Sequence, residues 1–240
     1  MGELPLCVAK ASSLNEGMVY TASLPADPTV DEIRAHLAPL IASNAAFDGW
    51  SHAALDMAAQ QAGLVPEIIA LAFDGAPVGM IDAWFAHIDA AMLTACSPER
   101  LATMKVSDKI RTLVEARLDL LKRDRESLRR ALAILAMPQN LVRAAKLSWR
   151  AADVMWRAAG DVAVDYNHYT KRMMLAGIYS ATLLAFLDDE SEDYADTRAF
   201  LTRRIGDVMR FEKAKARLSV NRERRPSLAR FVGRLRYHAR

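Results

Sequence analysis

Between Asp31 and Met209 the apolar residues return at three- and four-residue intervals, and no stretch alternates apolar with polar for the length of a strand. Ile110, Val114, Leu118 and Leu121, inside SDKIRTLVEARLDLLKRDRESLRRALAILAMP, show that spacing most plainly. The pattern is interrupted by Gly63, by DGAP at 74–77, by Ser97-Pro98, by Pro138 and by Gly160, residues that end helices through a left-handed turn or a missing N–H donor. The spacing predicts helices over 32–44 with Asp31 as N-cap, then 51–62, 66–72 and 78–95. Two more follow from Ser107, divided near 122–124, and the last three cover 138–159, 166–187 and 194–216. The expected fold class is all-α.

The length of 240 residues suits one large domain or two small ones. The longest strongly apolar run, MMLAGIYSATLLAFL at 173–187, is 15 residues, short of the roughly 20 that cross a bilayer as a helix, and it reads as a core helix. The first thirty residues hold Glu3, Glu16, Asp27 and a single Lys10 without a sustained apolar run, which fits neither a secretory signal nor an Arg-rich transit segment. The expectation is a poorly ordered arm over 1–30 and a cytoplasmic location. Cys7 and Cys96 are the two cysteines and lack C-x-x-C spacing, so free thiols are expected rather than a disulfide framework or a zinc site.

ALDMAAQQAGLVPEIIALAF, at 54–73, has the grammar of a helix-turn-helix. A DNA reader must neutralise several phosphates with Lys or Arg, on the order of 6–10 for typical cases. From Ala35 through Glu99 there is neither Lys nor Arg, while Asp48, Asp56, Glu67, Asp74, Asp82, Asp89 and Glu99 make seven acids. The second helix, PEIIALAF, offers no Arg, Lys, Asn or Gln to a base edge, and its Ile68, Ile69, Leu71 and Phe73 read as packing residues. The motif therefore reads as a scaffold that has lost its DNA-reading function, and no nucleic-acid partner is expected. A ligand-responsive repressor of TetR type is the alternative function.

The net charge of +3 is unevenly spread: 213–240 carries ten Lys or Arg against Glu223 alone, about +9, which leaves about −6 for the rest. In RPSLARFVGRLRYHAR, Leu228, Phe231, Val232 and Leu235 fall at i, i+3, i+4 and i+7, interleaved with Arg230, Arg234, Arg236 and Arg240. That is a basic amphipathic helix of the membrane-surface kind. Four cations at an anionic surface contribute roughly 1 kcal/mol each, and partial burial of four apolar side chains adds several more.

AADVMWRAAGDVAVDYNHYTKRMMLAGIYSATLLAFLDDESEDYADTRAFLTRRIGDVM, at 151–209, resembles the signature region of the lipid-binding accessory protein family of ubiquinone (coenzyme Q) biosynthesis, a TetR-like family. The resemblance rests on Asp153, Trp156, Ala159, Gly160, Asp161, Asp165, Asn167, Tyr169, Thr170 and Arg172, in order and at the family spacing. It continues through Tyr179, Asp188, Asp193, Phe200, Leu201 and Arg204. VEARLDLL, RALAILAMPQN and GWSHAAL fit upstream, so the match covers roughly 45–210. One position departs: the family usually has Trp before the Tyr, and this chain has His168.

The resemblance implies a TetR-like helical bundle with a vestigial helix-turn-helix, divided into an arm at 1–30, a helix-turn-helix unit at 31–97, a lipid-binding and dimerisation region at 98–216, and a tether with membrane helix at 217–240. It implies a non-catalytic homodimer on the inner face of a bacterial cytoplasmic membrane. Such a protein binds isoprenoid quinone intermediates or phospholipid and presents the quinones to the di-iron demethoxyubiquinone hydroxylase. The implied partner-contacting residues are Trp156, Tyr166, His168, Tyr169 and Arg172, and the membrane-binding ones Leu228, Arg230, Phe231, Val232, Arg234 and Leu235.

The hydroxylase chemistry itself needs Glu-x-x-His pairs on facing helices, and none of the eleven Glu residues is followed by His at that spacing. With His at 36, 52, 87, 168 and 238, no metal cluster and no cofactor site is expected. Asp161, Asp165, Asp188 and Asp189 suggest acid–base pairs, yet capping and ion pairing explain them better. Met104, Met137, Met155, Met173, Met174 and Met209 are candidates for an adaptable lipid pocket, or plain core.

Overall fold

The computed structural model describes residues 24–162 apart from Ala26, and 166–223, without the side chains of 166, 167 and 211–223. The cysteine at position 7, the arm up to 23, Asp165 and every residue named for the membrane helix lie outside the described residues. The chain divides into two compact units, Met1–Trp84 and Phe85–Arg240. Among the described residues the regular structure is helical, without strands.

The first unit opens with α1, Val30–Asp48. Its cap is Thr29 rather than the expected Asp31: the Thr29 hydroxyl accepts from the Glu32 N–H at 3.3 Å and Glu32 Oε2 accepts from the Thr29 N–H at 2.8 Å. Glu32 stands three residues after Thr29, so this reciprocal pair satisfies two otherwise orphaned N–H groups, which Asp31 cannot do alone. Ile33, Leu37, Ala38, Ile41 and Ala42 form the buried face that meets α2, His52–Ala62. Ser51 caps α2, and Gly63 ends it at φ 66°, the left-handed conformation that a glycine adopts freely.

Next comes α3, Pro66–Ala72, which buries Ile69 and is followed by buried Phe73. Leu71 does not pack as expected: it is 73% exposed, because the seven-residue helix turns only one narrow face toward α1 and α2. Trp50 and Trp84 meet at 5.3 Å in this core. The Gly75 Cα lies so close to the His52 ring that a Cβ there would stand 1.8 Å from His52 Cε1.

From Pro77 to Ala95 runs α4, which begins in the first unit and ends in the second. The second unit continues with α5, Pro98–Ala102, capped by Ser97, and α6, Val106–Leu121. The expected division at 122–124 separates α6 from α7, Arg125–Leu135. A short 3-10 turn at Pro138–Asn140 leads into α8, Leu141–Ala158, and beyond Gly160 at φ 89° lies α9, Tyr166–Asp188. Another 3-10 turn, Glu192–Tyr194, precedes α10, Ala195–Glu223, which runs past the expected end at 216.

In this unit α8 packs along α9, and α10 lies against α9 and α6. Leu175, Tyr179, Leu183, Phe186 and Leu187 are the buried face of α9, whereas Met173 and Leu184 point outward. Arg125 and Arg129 each donate at 2.7 Å to the Leu187 carbonyl at the end of α9, where cations favour the exposed C=O groups. Asp189 then starts α10 by accepting from the Thr197 N–H at 2.8 Å and hydroxyl at 2.6 Å, and from Ser191. Among the described residues no single helix is long and apolar enough to cross a membrane.

Candidate functional site

The second unit contains a cavity of about 230 Å³ enclosed by α6, α7, α8 and α9 with the start of the unit's share of α4. Leu132, Leu135, Leu147, Leu183 and Leu184 supply most of its apolar wall. An engineered apolar cavity of about 150 Å³ admits benzene, so this one has room for a ring with substituents. Leu147 and Leu183 are buried, while Leu141 at 54% and Leu184 at 59% exposure stand at its open side. The methionines do not form this lining: Met155 is core, and Met137, Met173 and Met209 are exposed.

The buried end of the cavity is polar. Arg117 occupies the apolar stripe of α6 beside Val114, Leu118 and Leu121, and is 1% exposed. Its Nε donates to Tyr179 Oη at 3.0 Å, its Nη1 donates to Asp89, and its guanidinium stacks 4.9 Å from the Tyr179 ring centroid. Asp89 Oδ2 is also 3.3 Å from Arg150 Nε. Burial works against the Arg117 charge, but Tyr179 and Asp89 outweigh it and hold the guanidinium protonated more firmly than usual. Sequence reading passed over Arg117 and Asp89. The signal was present, since each is a charged residue at i+3 or i+4 among buried apolar ones: Val114, Arg117, Leu118, and Phe85, Ile88, Asp89, Met92.

Elsewhere along α8, two of the five residues assigned to partner contact, His168 and Tyr169, are brought together. Trp149 on α8, His168 and Tyr169 on α9 form an aromatic cluster, with centroids 6.4 Å (Trp149–His168), 6.0 Å (Trp149–Tyr169) and 5.1 Å (His168–Tyr169) apart. Trp149 was not singled out, although it precedes Trp156 by seven residues and so shares its helix face. The Trp156 indole N–H donates to the Lys171 carbonyl at 3.1 Å, and Lys171 Nζ lies 5.3 Å from the Trp156 ring centroid. Tyr166 opens α9, its side chain outside the described residues.

Arg172 is a correction. Expected on the contacting surface, it is 1% exposed and sits beneath it. Its Nε donates to Asp153 Oδ1 at 2.6 Å, and its Nη1 to Asp161 Oδ2 at 3.1 Å and to the His168 carbonyl at 3.2 Å. Asp161 also accepts from Lys171 Nζ at 2.8 Å. Burial raises the Asp161 pKa, and the bonds from Lys171 and Arg172 reverse that and leave it below the usual carboxylate value. An acid with two cations on it is an ion-pair member, not a proton donor. Asp189 is likewise a helix cap: burial raises its pKa, and the bonds from Ser191 and Thr197 overcome this and hold it far below the ordinary range.

Tyr169, Met173 and Leu184 are exposed along α9, at 59%, 67% and 59%, and their spacing of four and eleven residues keeps them on one stripe. That stripe connects the aromatic cluster to the open side of the cavity. Further along, Asp193 and Tyr194 hold positive φ of 51° and 55°. Tyr194 packs 4.7 Å from the Phe186 centroid, and Asp193 pairs with Arg198 at 3.2 Å. Among the described residues no three His, Cys, Asp or Glu side chains gather as metal ligands. On α3 the outward residues are Glu67, Ala70 and Leu71, without a cation.

Comparison with known proteins bears on this region. Residues 141–212, which hold α8, α9 and the first part of α10, match the model of the COQ9 family. Over 105 residues, 44% of this chain and 34% of the relative, the chain is 44% identical to the mitochondrial ubiquinone biosynthesis protein COQ9 of Rattus norvegicus. It is 42% identical to that of Homo sapiens over 105 residues, 44% of this chain and 33% of the relative. With the COQ9 of Drosophila melanogaster it shares 26% identity over 187 residues, 76% of this chain and 57% of the relative. The matched part spans about a third of the length of the rat and human proteins. The crystal structure of a TetR transcriptional regulator from Nitrosomonas europaea superposes with a TM-score of 0.56 at 23% identity, covering 72% of this chain and 96% of that one. The fold is TetR-like and all-α.

Proposed function

We propose that this chain, with a COQ9-like segment set in a TetR-like scaffold, is a non-catalytic carrier of isoprenoid lipids in ubiquinone biosynthesis. It takes quinone intermediates from a membrane and presents them to the hydroxylase that acts on demethoxyubiquinone. The observation that carries the reading is the cavity: an apolar container, lined largely by α8 and α9 of the COQ9-like segment, that opens between Leu141 and Leu184. Each methylene left in water costs about 0.8 kcal/mol, so whatever part of the lipid such a container covers lowers the cost of moving it between membrane and enzyme.

The stripe of Tyr169, Met173 and Leu184 supports the presenting role, because it gives a partner three exposed, largely apolar side chains on one face of α9. Aromatic rings with polar tips suit such contacts. The seven acids of 35–99, a stretch without Lys or Arg, and the cation-free outer face of α3 support a helix-turn-helix kept as scaffold rather than as a DNA reader. The basic tail supplies a means of reaching the lipid surface, and a homodimer is the assembly we assign.

Native mass spectrometry of the purified full chain tests the central claim. Co-purified isoprenoid or phospholipid is expected, and it should be lost in Ala151→Trp, which fills the cavity from α8. A wild-type protein free of lipid that also fails to take up an added isoprenoid quinone refutes the carrier role.

A further inference from the structure

We infer that the cavity selects its ligand by a hydrogen-bond acceptor: Tyr179 and Arg117 form a donor pair at the buried end that receives a neutral oxygen of an aromatic head, while the isoprenoid chain leaves past Leu141 and Leu184. The inference rests on the carrier reading and adds to it the orientation and chemical class of the ligand.

A cavity that held hydrocarbon alone would not by itself call for a cation in its wall. Burying a guanidinium is expensive unless its partners compensate, and replacing buried ion pairs by apolar residues is often neutral or stabilising. Here the cation is kept at the wall of an otherwise apolar chamber. The direction of its hydrogen bond matters. Because Arg117 Nε donates to Tyr179 Oη, the phenol oxygen is an acceptor in that contact and its own O–H remains to be donated. Among the described residues that proton meets no acceptor, and Tyr179 is 3% exposed and lines the cavity. A phenol polarised by a bound guanidinium is a stronger donor than an isolated one.

The wall also carries two serine hydroxyls, one of which donates to the other. Ser148 Oγ and Ser180 Oγ lie 3.3 Å apart across α8 and α9. At the buried end the donor backed by a cation is the Tyr179 hydroxyl.

Charge decides between a neutral and an anionic head. Arg117 is already paired with Asp89, so a carboxylate or phosphate placed against it would also stand near the Asp89 carboxylate and lose its hydration. A carbonyl or aryl ether oxygen carries no such penalty. The volume agrees: about 230 Å³ holds a substituted ring and not a long chain, so the chain must emerge at the exposed leucines.

The test measures binding of three probes to the delipidated full chain: 2,3-dimethoxy-5-methyl-6-decyl-1,4-benzoquinone, decylbenzene and decanoate. Wild type is expected to bind the quinone roughly tenfold more tightly than decylbenzene, the usual effect of one good hydrogen bond. Tyr179→Phe, which keeps the ring, should remove most of that difference and leave decylbenzene affinity unchanged. Equal wild-type affinity for quinone and decylbenzene, a difference that survives in Tyr179→Phe, or decanoate binding more tightly than the quinone each overturns the inference. Binding of none of the three sinks the carrier reading instead. The infrared carbonyl stretch of the quinone bound to wild type needs no variant: it should fall to lower wavenumber, and an unshifted band overturns the donor pair.

Discussion

Arg172 Nε lies 2.6 Å from Asp153 Oδ1, and the same guanidinium reaches Asp161 Oδ2 at 3.1 Å, so one buried cation on α9 holds both the middle of α8 and the residue just past its end. The bond from Arg172 to the His168 carbonyl extends that lock to the first turn of α9, directly under the aromatic cluster. Arg172 is thus a positioning residue for a surface that it does not join. Arg172→Met leaves two largely buried carboxylates short of a partner and should lower stability by about 3 kcal/mol, read from urea denaturation. A loss within 0.5 kcal/mol, about the effect of an ordinary surface change, contradicts this account.

The neighbouring Tyr169 behaves in the opposite way, because it is 59% exposed. Tyr169→Ala should leave the denaturation midpoint nearly unchanged while reducing co-purification of the hydroxylase and letting its quinone substrate accumulate. Normal hydroxylase recovery with this variant argues against this face as the contact.

A pH dependence follows from Asp189, whose folded-state pKa is depressed far below its unfolded value near 4. Its stabilising effect is fully present above about pH 4 and is lost as pH falls below that toward the folded value. Asp189→Asn should cost about 1–3 kcal/mol at pH 7, since the amide cannot accept from both Ser191 and Thr197 as the carboxylate does. The gap between variant and wild type should then narrow below pH 4. A gap that stays constant down to pH 2 shows that the cap acts without its charge.

For the basic tail, outside the described residues, deletion of 227–240 or the change Phe231→Asp is expected to weaken flotation with anionic phosphatidylglycerol vesicles. Helix content from circular dichroism should remain that of the folded core. Added salt should weaken the wild type in the same direction, as screening requires. Flotation that is indifferent to both deletion and salt removes the tail from the membrane contact.

Much of the helix layout was legible because its signals are local. Gly63 at φ 66°, Pro66 in the first turn of α3, and the break at 122–124 depend on a few adjacent residues. Charge counting over 35–99 needed no structure either. The cap of α1 was misplaced by two residues, since Asp31 is a good capping residue but Thr29 has Glu32 at the spacing for a reciprocal pair. Leu71 was misread because an apolar residue on a seven-residue helix packs only if the facing helices reach its side.

By itself the sequence determined the succession of helices, the acidic cast of the helix-turn-helix unit, the basic tail and the motif at 153–204. Periodicity, caps and charge are properties of neighbours in the chain. Tertiary structure alone decided that Arg172 lies beneath the aromatic surface, that Trp149 joins His168 and Tyr169, and that Arg117, Asp89 and Tyr179 meet at a cavity wall. The side chains that meet come from positions 19 to 90 residues apart, from Trp149 with His168 to Asp89 with Tyr179. A buried charge is tolerated only where such a partner is brought to it, and which partner arrives is fixed by how the helices pack.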